Sequence, residues 1–179
     1  MVAFDMAVEE VLRKEGVFSD NKHDSGGKTK YGITESVARE DGYGSDMRDL
    51  SIDRAISIYK RNYWDTLSLD DISRISYPIA LELFDSCVNT GIGTSTKWLQ
   101  RCLNVLNNKQ AYYQDLVVDG ALGAKTLMAL TAYSKLRGKL GEKVLLKLLN
   151  SLQGEFYVGL AEAREKDEEF MFGWAANRL

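Results

Sequence analysis

The chain has 179 residues, 45% of them apolar and 27% charged, with a net charge of −3; this excludes a disordered chain, because enough apolar surface is present to offset the entropy of ordering. The charge balance gives no electrostatic footprint for nucleic acid, and no apolar run approaches the roughly 18 residues of a membrane span. Two cysteines and a single histidine, His23, make a weak zinc-ligand set.

In chain order, Phe4, Ala7, Val8, Val11 and Leu12 form an apolar stripe at helical spacing. It predicts a helix from about Ala3 to Lys14 that stops near Gly16. From Phe18 to Tyr43 the character changes, with Ser, Asp, Asn and Gly clustered and Gly26-Gly27, Gly32, Gly42 and Gly44 as punctuation. Lys28 to Thr34 reads as short extended structure, and Glu35 to Glu40 as a short helix. Ser51 is placed to cap a helix carrying Ile52, Ala55, Ile56, Tyr59 and Tyr63.

Pro78 suits the first turn of the next helix, where its missing N–H costs nothing. That helix bears Ile79, Leu83, Phe84 and Val88 and ends near Gly91. Trp98, Leu99, Cys102, Leu103 and Leu106 mark another. Residues 107–118 read as a polar and aromatic loop, and Asp119-Gly120 with Gly123 as a turn into a helix from about Ala124 to Leu136. Val144, Leu145, Leu148, Leu149, Leu152 and Phe156 form a long amphipathic helix, and Phe170, Met171 and Trp174 a final one. Cys87 and Cys102 sit among apolar residues and are expected as buried free thiols. Trp64, Trp98 and Trp174 are expected as core anchors, and His23 as a surface loop residue. Lys139, Lys143 and Lys147 beside Leu140 to Leu152 are read as the solvated face of a packed helix rather than a membrane contact.

Glu15 is the residue with the most chemical promise. A carboxyl at the end of an amphipathic helix lies where the apolar core meets solvent, and partial burial there disfavours its charged form, as a general acid requires. The negative end of the helix dipole acts in the same direction. Asp20 and Asp24 follow on a glycine-rich turn, and two carboxyls across a cleft are the minimal equipment for glycoside hydrolysis. Spacing alone leaves the other reading open, since a Glu at a helix end is ordinarily a solvated charge and Asp-Ser-Gly-Gly ordinarily a turn.

Glu15-Gly16, Asp24, Gly26-Gly27, Thr29, Tyr31, Gly32, Ile33 and Thr34 together resemble the N-terminal motif of glycoside hydrolase family 108, the phage and bacterial N-acetylmuramidases. Val17 departs from the second glycine usual in that motif. Further on, Tyr63-Trp64, the segment Asp85 to Gly91 with Val88-Asn89, Trp98-Leu99-Gln100 with Asp119 to Gly123, and Gly173-Trp174 with Arg178 extend the resemblance over essentially the whole chain. It implies a mainly α, lysozyme-like fold with a short extended or β element in the 18–34 region. The catalytic lobe would cover 1–92, and a helical peptidoglycan-binding region packed on it would cover 93–179.

The resemblance makes Glu15 the proton donor. It leaves the second catalytic group open, with Asp24 preferred to Asp20, Thr29 a candidate for positioning water, and catalysis by Glu15 with help from the substrate's N-acetyl group a further possibility. Tyr31 is a candidate for lining the saccharide cleft or packing in the core. Asp85 and Asn89 share a helix face and are candidates for binding sugar or bracing the lobe. The implied reaction is hydrolysis of the β-1,4 bond between N-acetylmuramic acid and N-acetylglucosamine, with neither metal nor organic cofactor. A lytic transglycosylase acting on the same bond and a non-catalytic wall-binding module are the alternatives. The expected partner is bacterial peptidoglycan, without nucleic acid or membrane contact, and the expected state is a monomer. With no signal peptide apparent at its N-terminus, the chain is expected to be made in a bacterial cytoplasm and, as a phage endolysin, to reach the wall through a separate holin.

Overall fold

The computed structural model describes residues 2–14, 18–19 and 28–179. They pack as two units, Met1–Thr66 and Leu67–Leu179.

The first unit opens with helix α1, Ala3–Lys14. Its stripe buries Phe4, Ala7, Val8 and Val11, and the Phe4 ring meets Trp64 edge-on at 5.5 Å. A small three-stranded sheet follows, with β1 at Phe18–Ser19, β2 at Thr29–Lys30 and β3 at Ile33–Thr34. Its pairings are antiparallel, Ser19 facing Thr29 and Lys30 facing Ile33. Tyr31 and Gly32 close the β2–β3 hairpin with φ of 53° and 75°, the sign that a type I′ turn requires at both central positions. Helix α2, Glu35–Glu40, starts where the Thr34 side chain accepts from Val37 N, and a salt bridge from Arg39 to Glu35 spans one turn.

Ser51 caps α3, Ile52–Tyr59, by accepting from Arg54 N. Ala55, Ile58 and Tyr59 are buried, whereas Ile52 is 46% exposed. The helix then widens into a π-helical turn over Lys60–Asp65. In such a turn residues five apart share a face, so Trp64 follows Tyr59 into the core, and both are fully buried.

In the second unit, Ser68, held at φ 47°, starts α4, Leu69–Ile75. The sequence reading passed over this helix because it is too short to show a full periodic stripe. Pro78 lies in the first turn of α5, Tyr77–Thr90, and Ser76 caps it. Gly91, with φ 86°, separates α5 from α6, Ile92–Val105. Helix α7, Ala124–Ala163, is two helices joined at Gly138, whose φ of 54° and ψ of −147° leave the helical region. The expected break between two helices therefore falls at Gly138, and the Tyr133 hydroxyl crosses it to donate to the Gly141 carbonyl at 2.9 Å. Helix α8, Glu168–Arg178, ends the chain. Helix α4 packs on α5 and α7, α5 on α6 and α7, α6 on α7, and α8 on α7.

The molecule is thus mainly α with a short β element, as expected. Cys87 and Cys102 are buried free thiols; burial pushes the Cys87 thiol far above its ordinary range and Cys102 up to about 11, so both stay protonated. Trp64 and Trp98 are core residues, and Trp174 is half-buried. Among the described residues no helix is long and apolar enough to cross a membrane.

Candidate active site

Helix α1 ends at Lys14, and Glu15 is the next residue in sequence. Glu15, Asp20, His23 and Asp24 lie outside the described residues.

Thr29 lies on the central strand of the sheet, opposite Ser19 on one side and Thr34 on the other. Tyr31 is half-buried at the hairpin turn. Its left-handed backbone is uncommon outside Gly, Asn and Asp, and it is held there by the Tyr59 hydroxyl, which donates to the Tyr31 carbonyl at 2.9 Å. The Lys30 ammonium sits 5.3 Å from the centre of the Tyr31 ring, a cation–π contact. Lys30 Nζ also donates to the Arg48 carbonyl, tying the hairpin to the turn at Met47–Asp49. Thr29, Tyr31 and Lys30 are thus brought together on one small sheet in the first unit.

Asp41, which sequence reasoning did not single out, anchors the same unit. Its side chain is 6% exposed and accepts from Arg54 and Arg61, each at 2.6 Å. A buried carboxylate flanked by two guanidinia is a bracket holding α2 against α3 and the π-helical turn. The sequence signal was faint, because Asp41-Gly42 reads as an ordinary turn.

Asp85 and Asn89 belong to α5, in the second unit. Asp85 is 4% exposed and accepts from Arg178 of α8 at 3.1 Å. Asn89 donates to the Asp85 backbone carbonyl at 2.7 Å. The first contact fastens α8 to α5, and the second lies within α5. Arg178 was legible only as part of a C-terminal motif; its role as the partner of Asp85, 93 residues away, was not.

The Asp119–Gly123 turn is fixed by Gln100, a buried residue of α6. The Gln100 amide donates to Asp119 Oδ1 at 2.8 Å and to the Ala121 carbonyl at 3.1 Å, and accepts from Gly120 N at 2.9 Å. Asp119 Oδ1 also accepts from Ala121 N at 2.9 Å. That backbone hydrogen bond, followed by the one from Gln100, holds the Asp119 carboxyl below its ordinary value, so it is an anion at neutral pH. Gly120 has φ 80°, and a β-carbon there would come 2.8 Å from the Gly93 carbonyl oxygen. Only glycine fits this close approach of turn and helix.

Residues 8–91 match the family described as "Glycosyl hydrolase 108", and residues 94–179 match the family described as "Predicted Peptidoglycan domain". No curated protein matches the chain. Among solved structures the chain is similar to SagA of Brucella abortus, with a TM-score of 0.73 and 24% identity over 98% of this chain and 88% of that one. That likeness concerns the fold. The two family matches bear on the chemistry: residues 8–91 match as a glycosyl hydrolase 108 domain and residues 94–179 as a peptidoglycan domain, and the chain is a glycoside hydrolase that acts on peptidoglycan.

Proposed function

We propose that the chain is an N-acetylmuramidase, hydrolysing the β-1,4 bond between N-acetylmuramic acid and N-acetylglucosamine. The observation that carries this reading is the family-108 match over residues 8–91, which includes Glu15 and the Asp24–Thr34 motif. Glu15 protonates the leaving glycosidic oxygen. Asp24 activates water or stabilises the oxocarbenium-like transition state, with Thr29 positioning the water and Tyr31 lining the saccharide cleft. Asp85 and Asn89 brace helix α5. The biological setting we propose is that of a monomeric phage endolysin, made in the host cytoplasm and delivered through a holin to the peptidoglycan outside.

The test joins one substitution to one product analysis. Gln at position 15 preserves size and polarity but has no proton to donate. Glu15→Gln should therefore retain the wild-type circular dichroism and lower wall lysis by about 10²–10⁴-fold, the range that general acid catalysis contributes. Asp24→Asn compared with Asp20→Asn identifies the second carboxyl by the larger loss. Mass spectrometry of the wild-type digest should show reducing N-acetylmuramic acid ends. An anhydromuramyl product, lighter by one water, would mean transglycosylation, and full lysis by Glu15→Gln would mean that the acid lies elsewhere.

A further inference from the structure

A cavity of about 810 Å³ opens in the second unit between the 107–123 loop and the start of α7. It lies wholly within the residues that match the peptidoglycan domain. Its volume is in the range of small-ligand pockets, about 300–1,000 Å³. Three apolar side chains on its lining face solvent: Val117 is 76% exposed, Met128 70% and Tyr112 36%. Charge of both signs joins them, from Asp115, Asp119 and Lys125, all of them exposed.

The loop that forms one wall is rigidly built. Buried Asn107 accepts from Tyr112 N and Tyr113 N and donates to Asp115 Oδ1 at 3.0 Å. Asn104 pairs with the Leu116 backbone through both its oxygen and its nitrogen, at 2.7 and 2.9 Å. The opposite wall is the first turn of α7, whose N-cap, Gly123, supplies no side-chain acceptor. An uncapped helix start presents backbone N–H donors and the positive end of the dipole, and Lys125 of the same turn adds a cationic side chain to the cavity lining.

We infer that this cavity binds the stem peptide of peptidoglycan rather than its glycan strand, with a peptide carboxylate at the α7 N-terminus and Lys125, and an ammonium at Asp115 and Asp119. The inference rests on the reading of residues 94–179 as a peptidoglycan-binding region. Charge decides between the two parts of the polymer. In intact wall the glycan strand carries hydroxyl and acetamido groups, its lactyl carboxyls being amidated by the peptides. Once stripped it gains a carboxylate but no ammonium, so neither form has a partner for both charged ends of the site. A stem peptide with a diamino acid carries carboxylates, an ammonium and apolar methyl and methylene groups, and the cavity offers a partner to each.

Short chilled co-sedimentation with the full chain measures binding before appreciable cleavage. Affinity for intact sacculi should exceed that for the same glycan stripped of peptides by an amidase at least tenfold. Met128→Arg and Lys125→Glu, both at exposed positions where the fold tolerates change, should lower affinity for intact sacculi at least tenfold with circular dichroism unchanged. The soluble tripeptide L-alanyl-γ-D-glutamyl-meso-diaminopimelate at millimolar concentration should shift the amide resonances of Asp115 and Lys125 saturably. Equal binding to stripped and intact wall, wild-type affinity in both variants, or unshifted resonances would each overturn the inference. Saccharide release is read separately: a chain that cleaves without preferring peptide-bearing wall loses only this inference, and one that prefers it without cleaving loses only the muramidase reading.

Discussion

Tyr31 holds a backbone conformation that favours Asn or Gly at the first central position of a type I′ hairpin, although a tyrosine there carries strain. Strain of this kind, commonly about 1–3 kcal/mol, persists where neighbouring structure over-determines it and is frequent in functional sites. The hydrogen bond from Tyr59 is that over-determination. If the Tyr31 ring lines the saccharide cleft, Tyr31→Asn exchanges the strained residue for one suited to the turn and removes the ring. It should leave the fold intact and lower kcat/KM on a soluble glycan oligomer at least tenfold. Unchanged kcat/KM with unchanged folding would assign the ring to packing. The sequence read Lys28 to Thr34 as one short extended stretch and showed neither the turn at Tyr31-Gly32 nor its strain, because the sign of φ at a tyrosine depends on a donor 28 residues away. The same limit hid Asp41 and the partner of Asp85: a carboxylate is visible in a sequence, whereas the guanidinium that meets it is chosen by the fold.

Among the elements, α8 shows how a helix with a weak apolar stripe is fastened. None of its residues is buried by residue exposure, yet Trp174 stacks on Tyr157 at 5.1 Å and on Phe170 at 5.9 Å. Arg178 reaches Asp85 with both side chains under 10% exposed. Tyr157 donates no charge to this arrangement, since burial raises its hydroxyl to about 12. Removing one member of a buried pair strands the other charge, at a cost of about 3–5 kcal/mol, whereas replacing both with apolar groups is often close to neutral. Arg178→Leu should therefore lower stability by roughly that amount in urea unfolding, and Asp85→Leu with Arg178→Leu should recover most of it. A double variant no more stable than the single one would show that the pair does not fasten α8. Long helices were legible because their stripes repeat over several turns. The π-helical turn at Lys60–Asp65 was not, because it shifts the stripe by one residue, and α4 was too short to declare itself.

For the molecule as a whole, the border between the family matches and the border between packed units differ. The family matches meet between residues 91 and 94, where the sequence also placed its division at 92/93, whereas packing divides the chain at Thr66 and Leu67. Helices α4 and α5 lie before the border of the family matches, yet both pack on α7, and α5 packs on α6. Polar links cross the same border: Ser76 Oγ donates to Glu142 at 2.7 Å, and Arg178 to Asp85 at 3.1 Å. We propose that 1–92 and 93–179 are divisions of function laid over a bundle that folds from residue 67 onward. A fragment of residues 67–179 keeps Ile79, Leu83 and Phe84, each nearly or fully buried. A fragment of residues 93–179 loses them and uncovers the faces of α6 and α7 that α4 and α5 occupy, removing several kcal/mol at about 1.5–3 kcal/mol for each large apolar side chain. In urea, 67–179 should unfold in one cooperative step. The shorter fragment should show lower helicity, a broad transition and binding of a hydrophobic dye, as a chain that has kept helices but lost specific packing does. Equal midpoints and equal cooperativity for the two fragments would place the folding border at 92/93 after all.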